Sequence, residues 1–413
     1  MKSKSLQTKK ASILLLIALV CSYAFVCLTR NCFSSAMVFI VDEGYLTSFE
    51  TGIITATFYL VYAVLQVAGG IITDKWHPEH LITIGLVGGG FCNLIIFFNQ
   101  SYPVMLVAWA LNAVFQLGVW PATFKLVSTT LHKDMRTSSL FIVTFSNPLG
   151  VVASYLVSAF VNTQWRLNFL ISAVGLFILA PAFEMVIRRI TPDLADDISL
   201  LDKSNEKSSN SKNTGFLSLA FGSGLAIILV IAFIRTGFDL GLKSVTPLMI
   251  KQSYERVTPV LATLLNIIVL VAGALGTVIA YIVYPKHVKN ESIVIAVFFS
   301  IALPLTVASL LLGSISYWWI VIFMSLIVML MGATSLFTTS YIAARFNKWG
   351  KGATVAGILN CASSLGIVAA NALFTGLSES IGWHGVVVVW VITMSTATLL
   401  SFVVIPLWTK FIK

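Results

Sequence analysis

The sequence predicts an all-α integral membrane protein of twelve transmembrane helices, arranged as two pseudo-symmetric six-helix halves. Three observations point there. The chain is 58% hydrophobic and only 10% charged, with a mean hydropathy of +0.94, whereas a soluble domain carries about 25% charged residues. Its apolar runs recur at spanning length, roughly 20 residues each. Its basic residues gather at alternate ends of those runs, as topology signals do.

In chain order, apolar runs of helical length fall near 11–38, 50–73, 81–98, 104–128, 137–161 and 166–187. The segment 188–215 breaks the pattern with Ser, Asn, Asp and Lys, and reads as a flexible cytoplasmic linker. Runs resume near 216–248, 258–283, 292–313, 317–343, 352–377 and 383–408. The expected domains are therefore 1–187, the linker 188–215, and 216–413. Lys2, Lys4, Lys9 and Lys10 precede the first run as they would in a signal peptide. That run is longer than a signal core and no Ala-x-Ala site follows it, so it reads as a retained first span.

The basic residues test the count. The N-terminal lysines, Lys75, Lys133, Arg136, the linker, Lys286, Lys289, Arg345, Lys348, Lys351, Lys410 and Lys413 fall on one side of the drawn spans. Arg166, Lys243, Lys251 and Arg256 are assigned to the other. The asymmetry places both termini in the cytoplasm of a multi-pass plasma (inner) membrane protein. Trp76, Trp165, Trp318, Trp319, Trp349, Trp383 and Trp408 lie near span ends, where an aromatic belt sits. The net charge of +10 is thus topology control, and no nucleic-acid stripe is expected. Five cysteines lie in apolar runs without a Cys-x-x-Cys pair, so neither a disulfide framework nor a metal site is indicated.

Two charges break the apolar pattern. Arg30 lies in Thr29-Arg30-Asn31-Cys32-Phe33 inside the first run, and Arg235 lies in Arg235-Thr236-Gly237-Phe238 inside the seventh. A mid-helix arginine costs at least about 2.5–3.5 kcal/mol on insertion scales. A guanidinium is a permanently charged, planar fork of donors, suited to bidentate contact with phosphate or carboxylate oxygens. Both are therefore candidate substrate contacts. The plainer alternative is a structural ion pair, and Asp239, four residues after Arg235, is placed for one. No acid lies near Arg30 in its own run.

The halves echo each other. Asn147-Pro148-Leu149-Gly150-Val151-Val152-Ala153 is similar to Ser363-Ser364-Leu365-Gly366-Ile367-Val368-Ala369, and Trp165-Arg166 is echoed by Trp383-His384. Gly69 to Lys75, ending Thr73-Asp74-Lys75, resembles the loop motif of the major facilitator superfamily. A more specific set comprises Arg30-Asn31 with Phe33, Ala36 and Met37, then Tyr62, Gly118-x-Trp120-Pro121, Arg235-x-Gly237, Lys351 to Gly357 and Gly382-Trp383. It resembles the organophosphate:phosphate antiporter family, which includes the glycerol-3-phosphate and hexose-phosphate transporters. The resemblance implies the major facilitator fold, with the substrate near the midplane between halves. It also implies that Arg30 and Arg235 bind the phosphate group. Several members have lysine where this chain has Gln66. The glycerol-3-phosphate transporters have histidine where it has Ser146, beside Asn147, a lysine where it has Asn31 and a glutamate where it has Leu270.

Around the arginines, Tyr62, Gln66, Asn147 and Ser146 are polar candidates for substrate contact. Lys125 could guide anions inward or anchor its span at an interface. Asp74 and Lys75 are expected to act in gating, as is Asp239. Pro148 permits bending. The expected function is exchange of an organic phosphate, or a related small organic anion, for inorganic phosphate by alternating access. Two alternatives stand: a non-transporting sensor of a phosphorylated metabolite, and a proton-coupled carboxylate or drug transporter using Asp239 or Glu184. No catalytic triad, paired carboxylates or phosphate-binding loop emerges, so neither an enzyme nor an ATP site is indicated. No cofactor is expected. The partners are the small anion and the lipid bilayer, and a monomer is the expected state.

Overall fold

A computed structural model describes residues 4–196, 222–287, 290–346 and 352–412. The fold is helical throughout, apart from one two-stranded ribbon among the described residues. Six spans come first: Lys9–Asp42, Ser48–Lys75, Pro78–Phe98, Tyr102–Thr129, Ser138–Val161 and Arg166–Ile190. Six follow: Leu225–Ser253, Pro259–His287, Glu291–Leu312, Tyr317–Leu336, 352–381 and 383–412. The last two are divided at Gly382, whose φ of 69° is left-handed and ends the helix. Large apolar side chains such as Phe98, Phe160, Ile178 and Leu399 face outward along the spans. Such a surface is stable in hydrocarbon, where helices satisfy every backbone donor internally.

The expected runs match these helices, with two differences at their edges. The seventh helix continues to Ser253, which sets Lys243 deep within the span and not among the charges at its end. Its neighbours explain how it is tolerated and are described below. The segment expected as linker begins with ordered structure. The sixth span ends at Ile190, a tight turn covers Thr191–Asp193, and Leu194–Asp196 pairs antiparallel with Lys4–Leu6. Thr8 reinforces the ribbon by donating its N–H and its hydroxyl to Asp193 Oδ2, both at 2.9 Å. Residues 197–221 lie outside the described part.

Packing divides the chain into two compact units, Met1–Ala36 with Val64–Asn210, and Met37–Ala63 with Ser211–Lys413. The first has a core of Leu15, Leu19, Leu86, Val119, Leu176 and Phe183. Its fifth span is broken at Phe145, whose N–H bonds Ile142 O at 3.1 Å instead of the residue four back. Pro148 cannot donate to Thr144, which removes the next rung of the ladder. Gly150 lets the fifth span touch the first: a Cβ there would stand 2.1 Å from Ala24 O. Nearby, Asn168 donates to Cys32 O, Ser35 Oγ and Ser158 Oγ, and Ser35 also bonds Ser154. These bonds tie the first, fifth and sixth spans through groups that lipid could not satisfy.

The second unit repeats the close approach. A Cβ on Gly366 would stand 2.1 Å from Phe233 O, so the eleventh span packs on the seventh as the fifth does on the first. Its core includes Phe238, Phe299, Met331, Trp390 and Trp408. Glu291, fully buried, accepts from Arg345 Nη2 at 2.8 Å and from Trp408 Nε1 at 3.0 Å. This bolts the ends of three spans together. The hairpin 37–63 belongs to this unit through Asp42–Lys251 at 3.0 Å, Gln252–Ser48 at 2.9 Å and the Phe49 N–H on Glu379 at 2.7 Å.

The paired glycines yield a prediction. Gly150→Val and Gly366→Val force backbones apart, and overpacking of this kind costs about 1–3 kcal/mol. Each variant should therefore lower the melting midpoint in detergent by several degrees. Leu149→Val, on an exposed face beside Gly150, should leave it unchanged.

Candidate functional site

A charge inside a span needs compensation from the helices around it, and the two arginines obtain it differently. In the first unit, half-buried Arg30 donates from Nε to Gln116 Oε1 at 3.1 Å. Gln116 in turn donates to Asn112 Oδ1 at 2.8 Å, and both amides are fully buried in the fourth span. Asn112 and Gln116 are four apart and so share one helix face. A neutral amide orients the guanidinium without cancelling its charge. Asn31, next in the chain, turns back to its own helix and donates to Cys27 O at 2.8 Å.

In the second unit, Arg235 is only 4% exposed. Its Nη1 reaches Asp239 Oδ2 at 3.3 Å and Met331 O at 3.5 Å, and its Nη2 donates to Thr236 Oγ1. The buried Nε has no hydrogen-bond partner among the described residues. Asp239 lies near the centre of Leu225–Ser253 and gives its other oxygen to Lys243 Nζ at 2.5 Å. Two cations thus share one carboxylate. The helix is widened to a π turn over Gly237–Gly241, immediately after Arg235. Such turns often occur at functional sites. Chemically, the cluster can accept a small anion through a fixed fork of donors.

The remaining candidates are spread through the fold. Tyr62 is half-buried in the second unit and stacks on Phe58, with centroids 6.1 Å apart. Ser146 is buried and its hydroxyl has no partner among the described residues, while Asn147 beside it is exposed. Lys125 donates to Thr73 O at 2.5 Å and so holds the ends of the second and fourth spans together. It stands nine residues beyond Gln116, roughly 13 Å along the helix. The side chains of Gln66, Asp74 and Lys75 lie outside the described part. Asp239 makes the ion pair with Arg235 that their spacing allows. Leu270 is a buried core residue. Gln116, Asn112 and Lys243 are additions. Each carries a signal of the same kind, a polar residue within an apolar run four positions from a polar partner.

A sequence profile of the Major Facilitator Superfamily matches residues 19–352. The chain belongs to the Major Facilitator Superfamily. It is a multi-pass membrane protein of the transporter type and not an enzyme. Among relatives of this Major Facilitator Superfamily chain, the membrane sensor protein UhpC of Escherichia coli (strain K12) is 25% identical over 171 residues, 40% of this chain and 39% of that protein. The probable hexose phosphate transport protein of Chlamydia trachomatis serovar D is 26% identical over 128 residues, 31% of this chain and 28% of that protein. These matches span two-fifths or less of either relative's length. In fold, the chain is similar to a bacterial homolog of the human lysosomal transporter Spinster in an inward-facing, unoccupied conformation. The TM-score is 0.73 at 15% identity, covering 98% of this chain and 99% of that one. The nucleoside transporter NupG gives a TM-score of 0.68 at 13% identity, covering 96% and 99%.

The Arg30–Gln116 contact is testable by charge. Gln116→Leu removes the acceptor but adds no charge, whereas Gln116→Glu places a carboxylate beside the guanidinium. Phosphate affinity, measured by titration of the purified protein, should fall in the order native, Gln116→Leu, Gln116→Glu. The glutamate should cost at least about tenfold, as a close opposite charge does.

Proposed function

We propose that this protein is a secondary transporter that moves an organic phosphate, or a related small organic anion, in exchange for inorganic phosphate. Arg30 and Arg235 are the two guanidinium contacts to the anion. One observation carries the reading: Arg235 sits almost fully buried at mid-span, its Nε has no partner among the described residues, and it shares its carboxylate with Lys243. Retaining such a cluster in a membrane is costly unless an anion completes it. The similarity to a hexose phosphate transport protein supports phosphate as the anionic group. A bound dianion would offset the positive charge of the two guanidinium groups and favour closure, so that empty carriers would switch rarely. The protein works as a monomer in the plasma membrane with both termini cytoplasmic.

A second reading is favoured by the match to a protein named as a membrane sensor. In that reading the same cluster binds a phosphate ester and reports it without moving it. A proton-driven carrier would instead make Asp239 indispensable to uptake driven by a pH gradient.

Counterflow separates these. Liposomes loaded with unlabelled phosphate should accumulate labelled external phosphate through the native protein. Arg30→Lys and Arg235→Lys keep the charge but lose the fork, and should each lower the rate by about a hundredfold, as expected for loss of a bidentate charge-assisted contact. Efflux into anion-free buffer at the full exchange rate would overturn obligatory exchange. Binding of a phosphate ester without flux would establish the sensor reading.

A further inference from the structure

Of the two cations on Asp239, Lys243 lies closer than Arg235. Lys243 Nζ lies 2.5 Å from Asp239 Oδ1, whereas Arg235 Nη1 is 3.3 Å from Oδ2. Charge-assisted contacts between nitrogen and carboxylate are usually near 2.7–2.9 Å, so the carboxylate leans towards the lysine and touches the guanidinium loosely. The lysine has a fitted place. A Cβ on Gly273 of the eighth span would stand 2.7 Å from Lys243 Cε and 2.8 Å from Nζ, so a larger residue there would push the ammonium aside. Asn266, two turns earlier on the same span, donates to Lys243 O at 2.9 Å and fixes the backbone just beyond the π turn.

We infer that Lys243 is a positioning residue of the anion site. It holds the Asp239 carboxylate away from Arg235 and so leaves the guanidinium able to take an external anion. The inference rests on the anion-binding reading above. Without Lys243, Asp239 Oδ1 loses its cation and Arg235 still has an unused Nε. The carboxylate then closes on the fork in bidentate fashion, which is the arrangement carboxylate and guanidinium prefer. Such a pair is neutral and occupies the donors that phosphate needs. The lysine therefore acts through the aspartate without itself touching the anion.

The test uses the full chain, purified in detergent, with inorganic phosphate as the probe and melting curves as a control for folding. Lys243→Met should weaken phosphate binding by at least about tenfold, the factor expected when one charge of the site is cancelled. Lys243→Arg should bind within a few-fold of native. The decisive variant is Lys243→Met with Asp239→Asn, which removes the competing carboxylate and should recover most of the lost affinity. A merely structural lysine would lower the melting midpoint together with the binding, whereas a positioning lysine would lose binding with the melting midpoint little changed. If Lys243→Met fails to fold, Gly273→Ala crowds the ammonium out of its slot. It should show the same loss and the same rescue by Asp239→Asn. The inference is overturned if Lys243→Met binds like native, or if its loss persists in the double variant. Should the native protein bind no phosphate, or Arg235→Lys bind it unchanged, the anion reading itself falls and this inference with it.

Discussion

The structure depends on keeping permanent positive charge inside apolar helices. A guanidinium cannot shed its proton, so the helices around it must supply compensation. In the second unit that requirement shapes several features at once. Asp239 and Lys243 follow Arg235 at successive four-residue intervals, Gly273 opens space for the ammonium, and Met331 turns a carbonyl towards the guanidinium. The close packing of Gly366 on Phe233 brings the eleventh span against the same stretch. The geometry is a compromise in which the charge is partly met and one donor is left over.

The two arginines are compensated by different chemistry. Arg30 leans on an amide, itself held by a second amide. Arg235 is held by an ionic group shared with a lysine. The first arrangement fixes direction, because an amide offers one acceptor at one place. The second fixes charge, because the carboxylate sets how much positive potential remains. Arg235, Asp239 and Lys243 thus form their ion pairs within a single helix.

Much of the fold was legible in the sequence, because a spanning helix needs only length and apolarity, and Arg30 and Arg235 stood out as charges in runs that should carry none. Glycine–backbone contacts were legible only as the repeated Gly150 and Gly366 motifs, since close approach belongs to a pair of helices and not to one string. Lys243 was harder. Read from composition, it is a charge near the end of a run. A helix continuing to Ser253 moves it well away from that end. Gln116 and Asn112 look like ordinary helix-to-helix amides until Arg30 is seen to point at one of them. The Lys4–Leu6 ribbon left no periodic trace, because three residues are too few to show one.

That ribbon has a topological consequence. Its two strands join the chain ahead of the first span to the chain just after the sixth, and Thr8 clips the same junction through Asp193. The first six spans are therefore closed into a ring by hydrogen bonds as well as being strung along a backbone. In a ring, a single cut leaves the pieces still joined at the other seam. Loops between these spans become interchangeable places to open the chain, while the seam at Leu6 and Leu194 becomes the place where an opening would be felt.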